Sequence, residues 1–298
     1  MSELFEFLPV SKEDMESRGW WWYDFLLVTG DAYVDHPSFG AAVIGRVLEA
    51  EGFRVAVLAQ PDWHSCEAFL AMGRPKLGVL IGSGNLDSMV AHYTAAKKRR
   101  SEDFYSPGKK MGLRPDHAVI VYANRAREAF PDLPIVIGGM EASLRRFAHY
   151  DYWDDKVRRS VLVDSAATLL MYGMGEKTII DCCDWVRRGM PAHELMKLSG
   201  ICYMAKQPPK DAILVPSHEE VAKDPKAYAK AFMLEYGEQD PVRGGVLCQM
   251  QDSQRYLVQN PPAMPLNTDQ LDAVYDLPFT RRAHPSYDKL GGVPALQE

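Results

Sequence analysis

Five short apolar runs recur along the chain: FLLV at 25–28, VAVL at 55–58, LGVLI at 77–81, IVI at 135–137 and LLMY at 169–172. None alternates with polar residues. A strand with one wet face reads apolar–polar in strict alternation, whereas a continuous run suits a strand covered on both faces, as in a parallel sheet between helices. The intervals between the runs carry helical signals. Pro37 suits the first turn of one helix, with Ala41, Ile44, Gly45 and Leu48 along one side and Gly52 as its stop. Asn85 is placed to cap a second, running into AAKKRR. Pro115 opens a third, with Val119, Tyr122, Ala126 and Phe130 on one face. The stretch SEDFYSPGKKMGL between Arg100 and Arg114 has no such period and is long for a connection, which points to function or mobility.

Strand, helix and strand repeated with short connections predict a doubly wound α/β fold: a mainly parallel, five-stranded sheet of Rossmann or flavodoxin type. Right-handed crossovers then put every strand-to-helix loop on one edge, and ligands of such sheets sit outside the carboxyl ends of the strands. The five loops on that edge are TGDAYVDHPSFG, AQPDW, GSGNLDS, GGMEASLRR and GMGE. Each holds carboxylates or amides, and four hold glycines that let a ligand approach the backbone. Beyond residue 190 the pattern loosens into a smaller, partly β extension. MKLSGICYMA and DAILVPS read as strands, GVLCQMQDSQRYLVQ as a hairpin and DPKAYAKAFMLEYGEQ as a helix. Residues 261–298 hold six prolines and one short helix, TDQLDAVY, which is linker chemistry. The expected division is therefore 1–190, 191–260 and 261–298.

Composition narrows the class. With 47% apolar and 25% charged residues the chain is an ordinary globular one. No apolar run approaches the length of a membrane span, and the acidic N-terminus lacks a leader's apolar centre, so the cytoplasm is the expected location. Five cysteines (Cys66, Cys182, Cys183, Cys202 and Cys248) are odd in number and irregularly spaced. They read as reduced packing thiols and supply no metal site. The formal charge of −6 is uneven: residues 91–160 carry 14 Lys/Arg against 9 Asp/Glu, in a chain whose totals are 34 and 40. A basic middle segment of this kind can present an anion-attracting face.

Several constellations carry candidate chemistry. Above the first strand stand Gly30, Asp31, Asp35 and His36, either as ligand contacts or as organisers of the turn before Pro37. Gly84 and Asn85 put backbone N–H groups near a helix start, yet neither a phosphate-loop motif nor G-x-G-x-x-G is present, which argues against a P-loop NTPase or an ordinary dinucleotide dehydrogenase. Gly138, Gly139 and Glu141 follow the fourth strand, and Gly175 and Glu176 follow the fifth. Both glutamates are expected to face one shared cavity. Downstream, Arg145, Arg146, Lys156, Arg158 and Arg159 with Tyr150, Tyr152 and Trp153 suit an anionic substrate or nucleotide by charge and stacking. Alternatively Asp151, Asp154 and Asp155 neutralise those cations and the rings seal a domain interface.

Taken together, RGWWWYDFLLVTGDAYVDHPSFGAAVIGRVLEAEGFRVAVLAQPDW, GSGNLDSMVAHYTAAKKRR, PIVIGGMEASLRRFAHYDYWDDKVRRS and LLMYGMGE closely resemble the N-terminal half of the YgiQ-type radical SAM proteins, and the likeness runs on to DLPFTRRAHPSYDKLGGVPA. The resemblance implies a cobalamin-binding-type domain that precedes a radical SAM core. In that core three cysteines, C-x-x-x-C-x-x-C, hold a 4Fe–4S cluster that cleaves S-adenosylmethionine. This sequence has no such motif, so the resemblance implies a fragment ending at the linker, not catalytic by itself, whose partner is the core of the same full-length protein. Nor does it contain the D-x-H-x-x-G of histidine-ligated cobalamin binders, because Asp35 and His36 are adjacent and Gly40 follows His36 by four. The leading expectation is an accessory ligand-binding module with Gly30, Asp31, Asp35, His36, Gly84, Asn85, Gly138, Gly139, Glu141, Gly175 and Glu176 over the strand ends, and with cobalamin as a candidate ligand. The rivals are a nucleotide- or RNA-binding module using the basic 91–160 segment, and a hydrolase or transferase built on Asp31, His36, Glu141 and Glu176.

Overall fold

The computed structural model describes residues 6–296. In chain order its strands are β1 (Phe25–Thr29), β2 (Val34–Asp35), β3 (Val55–Ala59), β4 (Gly78–Gly82) and β5 (Ile135–Ile137). Then come β6 (His149–Asp151), β7 (Lys156–Arg158), β8 (Leu169–Met171) and β9 (Ile201–Ala205). The last four are β10 (Ile213–Val215), β11 (Leu247–Asp252), β12 (Arg255–Gln259) and β13 (Arg282–Ala283). The five apolar runs are β1, β3, β4, β5 and β8. They pair parallel throughout, in the order β3-β1-β4-β5-β8. That is the flavodoxin arrangement, with its switch point between β1 and β4.

The sheet does not stop at five strands. Past β8 it continues through β9, β12 and β11, each antiparallel to its neighbour, and ends with β10 parallel to β11, giving nine. The extension therefore lengthens the sheet. Ile201, Cys202, Leu257, Val258, Leu247 and Cys248 are all buried, and an unpaired β8 edge would leave its N–H and C=O groups without partners.

The pleat sends alternate residues to opposite faces. Leu27, Val55, Val57 and Leu80 pack under the helix Gly40–Ala50 with Val43, Val47, Leu48 and, from the helix Gly175–Arg187, Ile179. Leu26, Val28, Ala56, Val79 and Ile81 face the helix Ala118–Ala129 through Val119, Tyr122 and Ala126, with Phe130 beyond its end. The predicted second helix is a single turn, Ser88–His92. Its N-cap is Asp87, which accepts from Met89 N and Val90 N at 2.9 and 3.2 Å. Asn85 is occupied elsewhere, and AAKKRR lies in a turn, because Thr94 bonds back and forth with Lys98 and competes with helix continuation.

Residues 261–296 run back over the loop that follows β1. β13 pairs antiparallel with β2, the N–H of Tyr33 donates to the Tyr287 hydroxyl at 3.0 Å, and Val293 is buried. Asp35 anchors this return. Its carboxylate, fully buried, forms an ion pair with the equally buried Arg46 and accepts the Thr280 N–H at 2.9 Å. Removing one partner strands the other charge in a dry site, which typically costs about 3–5 kcal/mol. Asp35→Ala is therefore expected to lower stability in urea unfolding by about that amount and to open residues 276–296 to limited proteolysis. An unchanged midpoint and cleavage pattern would refute the anchor.

Candidate functional site

Where β1, β4, β5 and β8 end, a cavity of about 330 Å³ opens between the sheet and the helices Gly40–Ala50 and Gly175–Arg187. Four of the five predicted loops meet there. They contribute Thr29, Pro37 and Ser38, then Gly82 and Gly84, then Gly138 and Gly139, then Gly173, Met174, Gly175 and Glu176. The loop after β3 does not line it; Gln60 from that loop instead donates to the Ser106 hydroxyl. The walls are apolar: Leu27, Val43, Ile44, Leu80, Val136, Met171 and Ile179. At Gly139 (φ 80°) and Gly173 (φ 72°) an added Cβ would meet nothing within 4 Å, so open space borders the backbone at both.

Of the residues predicted for this site, Gly84, Gly138, Gly139, Gly175 and Glu176 line the cavity. The others hold it together from outside. Asp31 is buried, with one oxygen 2.9 Å from Arg114 Nη1 and the other accepting the Asn85 N–H at 2.6 Å. Arg114, buried as well, also reaches Asp103 at 2.7 Å and the Ser83 carbonyl at 3.1 Å. This one guanidinium thus ties the loop after β1, the loop after β4 and the long 101–114 segment. Gly30 passes so close to Ser83 that a Cβ would lie 2.1 Å from its carbonyl oxygen, and a Cβ on Gly84 would overlap the Asp31 carboxylate. Asn85 bridges the same loops, its side chain accepting from Gly40 N and donating to the Ser38 carbonyl.

His36 stands beside the cavity, not in its lining. Its Nδ1 accepts the Ser38 N–H at 3.1 Å, and burial together with the Arg281 charge holds its pKa below the usual histidine value. Asp35 belongs to the Arg46 pair described above. Glu141 departs from expectation: it does not share the cavity with Glu176. It is buried on the opposite side of the sheet, where its carboxylate accepts Ser88 N at 2.8 Å and Val119 N at 3.0 Å and so joins two helix starts. Burial raises its pKa against the pull of those N–H groups.

The basic stretch is largely neutralised from within. Arg145 pairs with Asp87, Arg158 with Asp151, Asp154 and Asp164, Arg159 with Asp164, and Lys156 with Asp154. Arg146 donates to Gln259 and lies over the rings of Phe147 and Tyr172. Tyr152 donates to the Ala95 carbonyl, and Trp153 packs against Tyr93. His117, Asp151 and Asp154 bring potential metal-ligand atoms within 4.8 Å of one another, but Arg158 already supplies the positive charge there, 3.1 Å from Asp154 and 3.5 Å from His117. The cysteines are free, and burial pushes the thiols of Cys182, Cys183 and Cys202 up to about 12. Sequence reasoning missed the roles of Arg46, inside the predicted Pro37–Gly52 helix, and of Arg114, at the end of the long 101–114 segment. It also missed Met171, Met174 and Ile179 in the wall, although their positions beside the glycine loops were a usable signal.

Fold and site together define a doubly wound module with a ligand-sized crevice at its switch point. The chain belongs to the radical SAM N-terminal family, whose sequence model matches residues 7–298. It is 56% identical over 295 residues to a UPF0313 protein of Clostridium botulinum, covering 98% of this chain and 46% of that one. To a UPF0313 protein of Clostridium perfringens it is 52% identical over 296 residues, covering 98% and 45%. The chain thus spans about half the length of the curated relatives it matches. A solved radical S-adenosylmethionine methyltransferase, TsrM from Kitasatospora setae with cobalamin and a 4Fe–4S cluster bound, is similar at 20% identity and a TM-score of 0.37, over 61% of this chain and 27% of that one. Among the described residues no helix is long and apolar enough to cross a membrane.

The Arg114 network makes a pH prediction. Burial lifts Asp31 to about 6 despite the neighbouring guanidinium, against about 3.9 in an unfolded chain. A carboxyl raised in the fold holds its proton more tightly there. Its contribution to stability is therefore greatest below about pH 4 and is lost as pH climbs through about 6. Urea unfolding at about pH 4 and about pH 7 should show the wild type losing about 2 kcal/mol relative to Asp31→Asn across that window. A pH-independent difference would count against the assignment.

Proposed function

We propose that this chain is the N-terminal ligand-binding module of a cytoplasmic radical SAM iron–sulfur enzyme. Residues 1–190 form the ligand-binding domain, 191–260 the extension of its sheet and 261–298 the connection to a core that holds the 4Fe–4S cluster and S-adenosylmethionine. The observation that carries the reading is the cavity itself. Four loops, distant in sequence, bring glycines to one rim at the switch point, where open α/β sheets bind their ligands. Family membership supports the radical SAM context, and relatives about twice as long leave room for a core.

Cobalamin is the ligand we assign to the crevice, through its nucleotide arm. When bound, it supplies a cobalt centre able to carry an alkyl group. Among the described residues the lining holds no histidine or cysteine, and His36 lies outside it with Nδ1 engaged, so the residues present do not fit a histidine ligand to cobalt. They do fit a heteroaromatic arm. Small-molecule sites span about 300–1,000 Å³, and 330 Å³ at the low end of that range leaves no room for a macrocycle. Ile44, Val136, Met171 and Ile179 give apolar faces for a ring, and the glycines let it approach the backbone.

Titration with cobalamin, followed in its visible spectrum, should show saturable binding by this chain. Ala41→Trp, which puts an indole into the cavity from the helix Gly40–Ala50, should weaken that binding at least about tenfold, the loss of roughly one well-packed group, while circular dichroism stays unchanged. Cobinamide, which lacks the nucleotide arm, should bind correspondingly worse. Equal affinity for cobinamide and cobalamin would overturn the arm assignment.

A further inference from the structure

Away from the cavity, residues 94–98 close a tight turn. Thr94 N donates to the Lys98 carbonyl at 2.8 Å, Lys97 N donates to the Thr94 carbonyl at 2.9 Å, and Tyr93 bridges antiparallel to Arg99. Lys97, Lys98, Arg99 and Arg100 all stand exposed there. Among the described residues none of the four forms an ion pair, in contrast to Arg145, Lys156, Arg158 and Arg159. Carboxylates of the surrounding loops are already engaged: Asp116 by His92 and the Tyr93 hydroxyl, Asp103 by Arg114, and Asp154 by Arg158. Lys97 adopts a φ of 58°, in the left-handed region that favours glycine or asparagine, so the charge is kept there at a conformational cost. Two aromatic residues brace the turn from the side. The Tyr152 hydroxyl donates to the Ala95 carbonyl at 2.7 Å, Lys97 Nζ donates to the Trp153 carbonyl at 3.3 Å, and that ammonium lies 4.7 Å from the Tyr152 ring centroid. Trp153 meets Tyr152 edge to face at 5.0 Å, and Tyr152 is still 47% exposed.

We propose that this turn and the Tyr152–Trp153 pair form a binding surface for single-stranded nucleic acid, with the four cations on its phosphates and Tyr152 as the platform for an unpaired base. The surface does not depend on what enters the cavity. Three physical points carry it. Four like charges in one turn repel one another, and a chain with 40 acidic residues leaves them unanswered; a polyanion removes that repulsion. A ring fixed beside the cations suits a polynucleotide over other polyanions, because every base has a π-face and a carboxylate has none. A duplex keeps its base faces inside its own stack, and an anionic membrane would take long apolar side chains between the cations, where the turn has only Ala95 and Ala96.

Fluorescence anisotropy on the whole chain tests this, with labelled oligouridylate and oligothymidylate of about 15 nucleotides and a duplex of the same length. Both single strands should bind saturably at about 50 mM salt, and the duplex at least about tenfold more weakly. Affinity should fall with salt at a log–log slope of about −3, from about −0.7 for each of four phosphate contacts. Lys98→Ala combined with Arg99→Ala should reduce that slope to about −1.4. Tyr152→Leu should weaken binding about tenfold at an unchanged slope. Tyr152→Phe keeps the ring, gives up the Ala95 bond and should bind like the wild type, which separates stacking from any loosening of the turn. Either order of affinity between the two single strands supports the surface, and the tighter one tells RNA from DNA. No saturable binding, a duplex bound as tightly, or a slope unmoved in the double variant overturns the proposal. So does polyglutamate that competes as well as the oligonucleotides, which would make the surface one for acidic protein.

Discussion

The guanidinium of Arg114 is the contact on which the rest of the site depends. Asp31 and Asp103 come from segments far apart in sequence, and both are almost fully buried. Two carboxylates sharing a dry volume repel each other and lack solvation; a planar donor between them supplies the opposite charge and several directed N–H groups at once. Arg114 reaches both, and the Ser83 carbonyl besides. A lysine would offer one point charge and could not span three acceptors in different directions. With the network in place, the backbone approaches its limit, so that Gly30 lies against Ser83 and Gly84 against Asp31 with no space for a Cβ. Electrostatics and steric closeness are one arrangement here: each glycine allows the approach that the ion pair stabilises.

That arrangement separates two tasks on the carboxyl edge. Most of its polar groups are consumed in holding loops to one another. Asp31, Asn85, Asp35 and Glu141 each satisfy backbone or guanidinium donors, and Arg145, Lys156, Arg158 and Arg159 are met by Asp87, Asp151, Asp154 and Asp164. Buried polar groups that are fully paired rigidify a structure and specify it, but they are no longer available to a ligand. What remains unfilled is an apolar cleft with exposed glycine backbone. Loop-rich sites are usually mobile; this one is braced by buried ion pairs from behind.

Much of this was legible in the residues. The five continuous apolar runs identified the parallel strands because burial on both faces removes alternation, and the glycine-bearing loops after four of them marked the rim. Val119, Tyr122, Ala126 and Phe130 fell on one buried face as their spacing required. The extra strands β9 to β12 were visible as strands, but their pairing with β8 was not, since a strand's partner is a non-local choice that local pattern does not encode. Glu141 and Glu176 illustrate the harder limit. Both follow glycines after adjacent strands, and the local sequence makes them look equivalent. Glu141 lies within a short helix whose turn carries it to the Ser88 and Val119 amides, whereas Glu176 opens a long helix on the cavity's own face. Which side of the sheet a helix takes decides the role of its first-turn acid, and that is set by topology.

The same topology explains why the cavity lies where it does. At the switch point the connection from β1 departs to one face and the connection from β4 to the other, so the two helix starts diverge and leave a gap that neither fills. The helix Gly40–Ala50 closes one side of that gap with Ala41 and Ile44, and the helix Gly175–Arg187 closes the other with Glu176 and Ile179. These two helices also pack on each other, so the cleft cannot be widened without disturbing the core beneath, where Leu27, Leu80 and Ile179 meet. A rigid, narrow, mostly apolar slot selects by shape. In that arrangement the polar network behind the loops sets the geometry, and the aliphatic walls line the space it encloses.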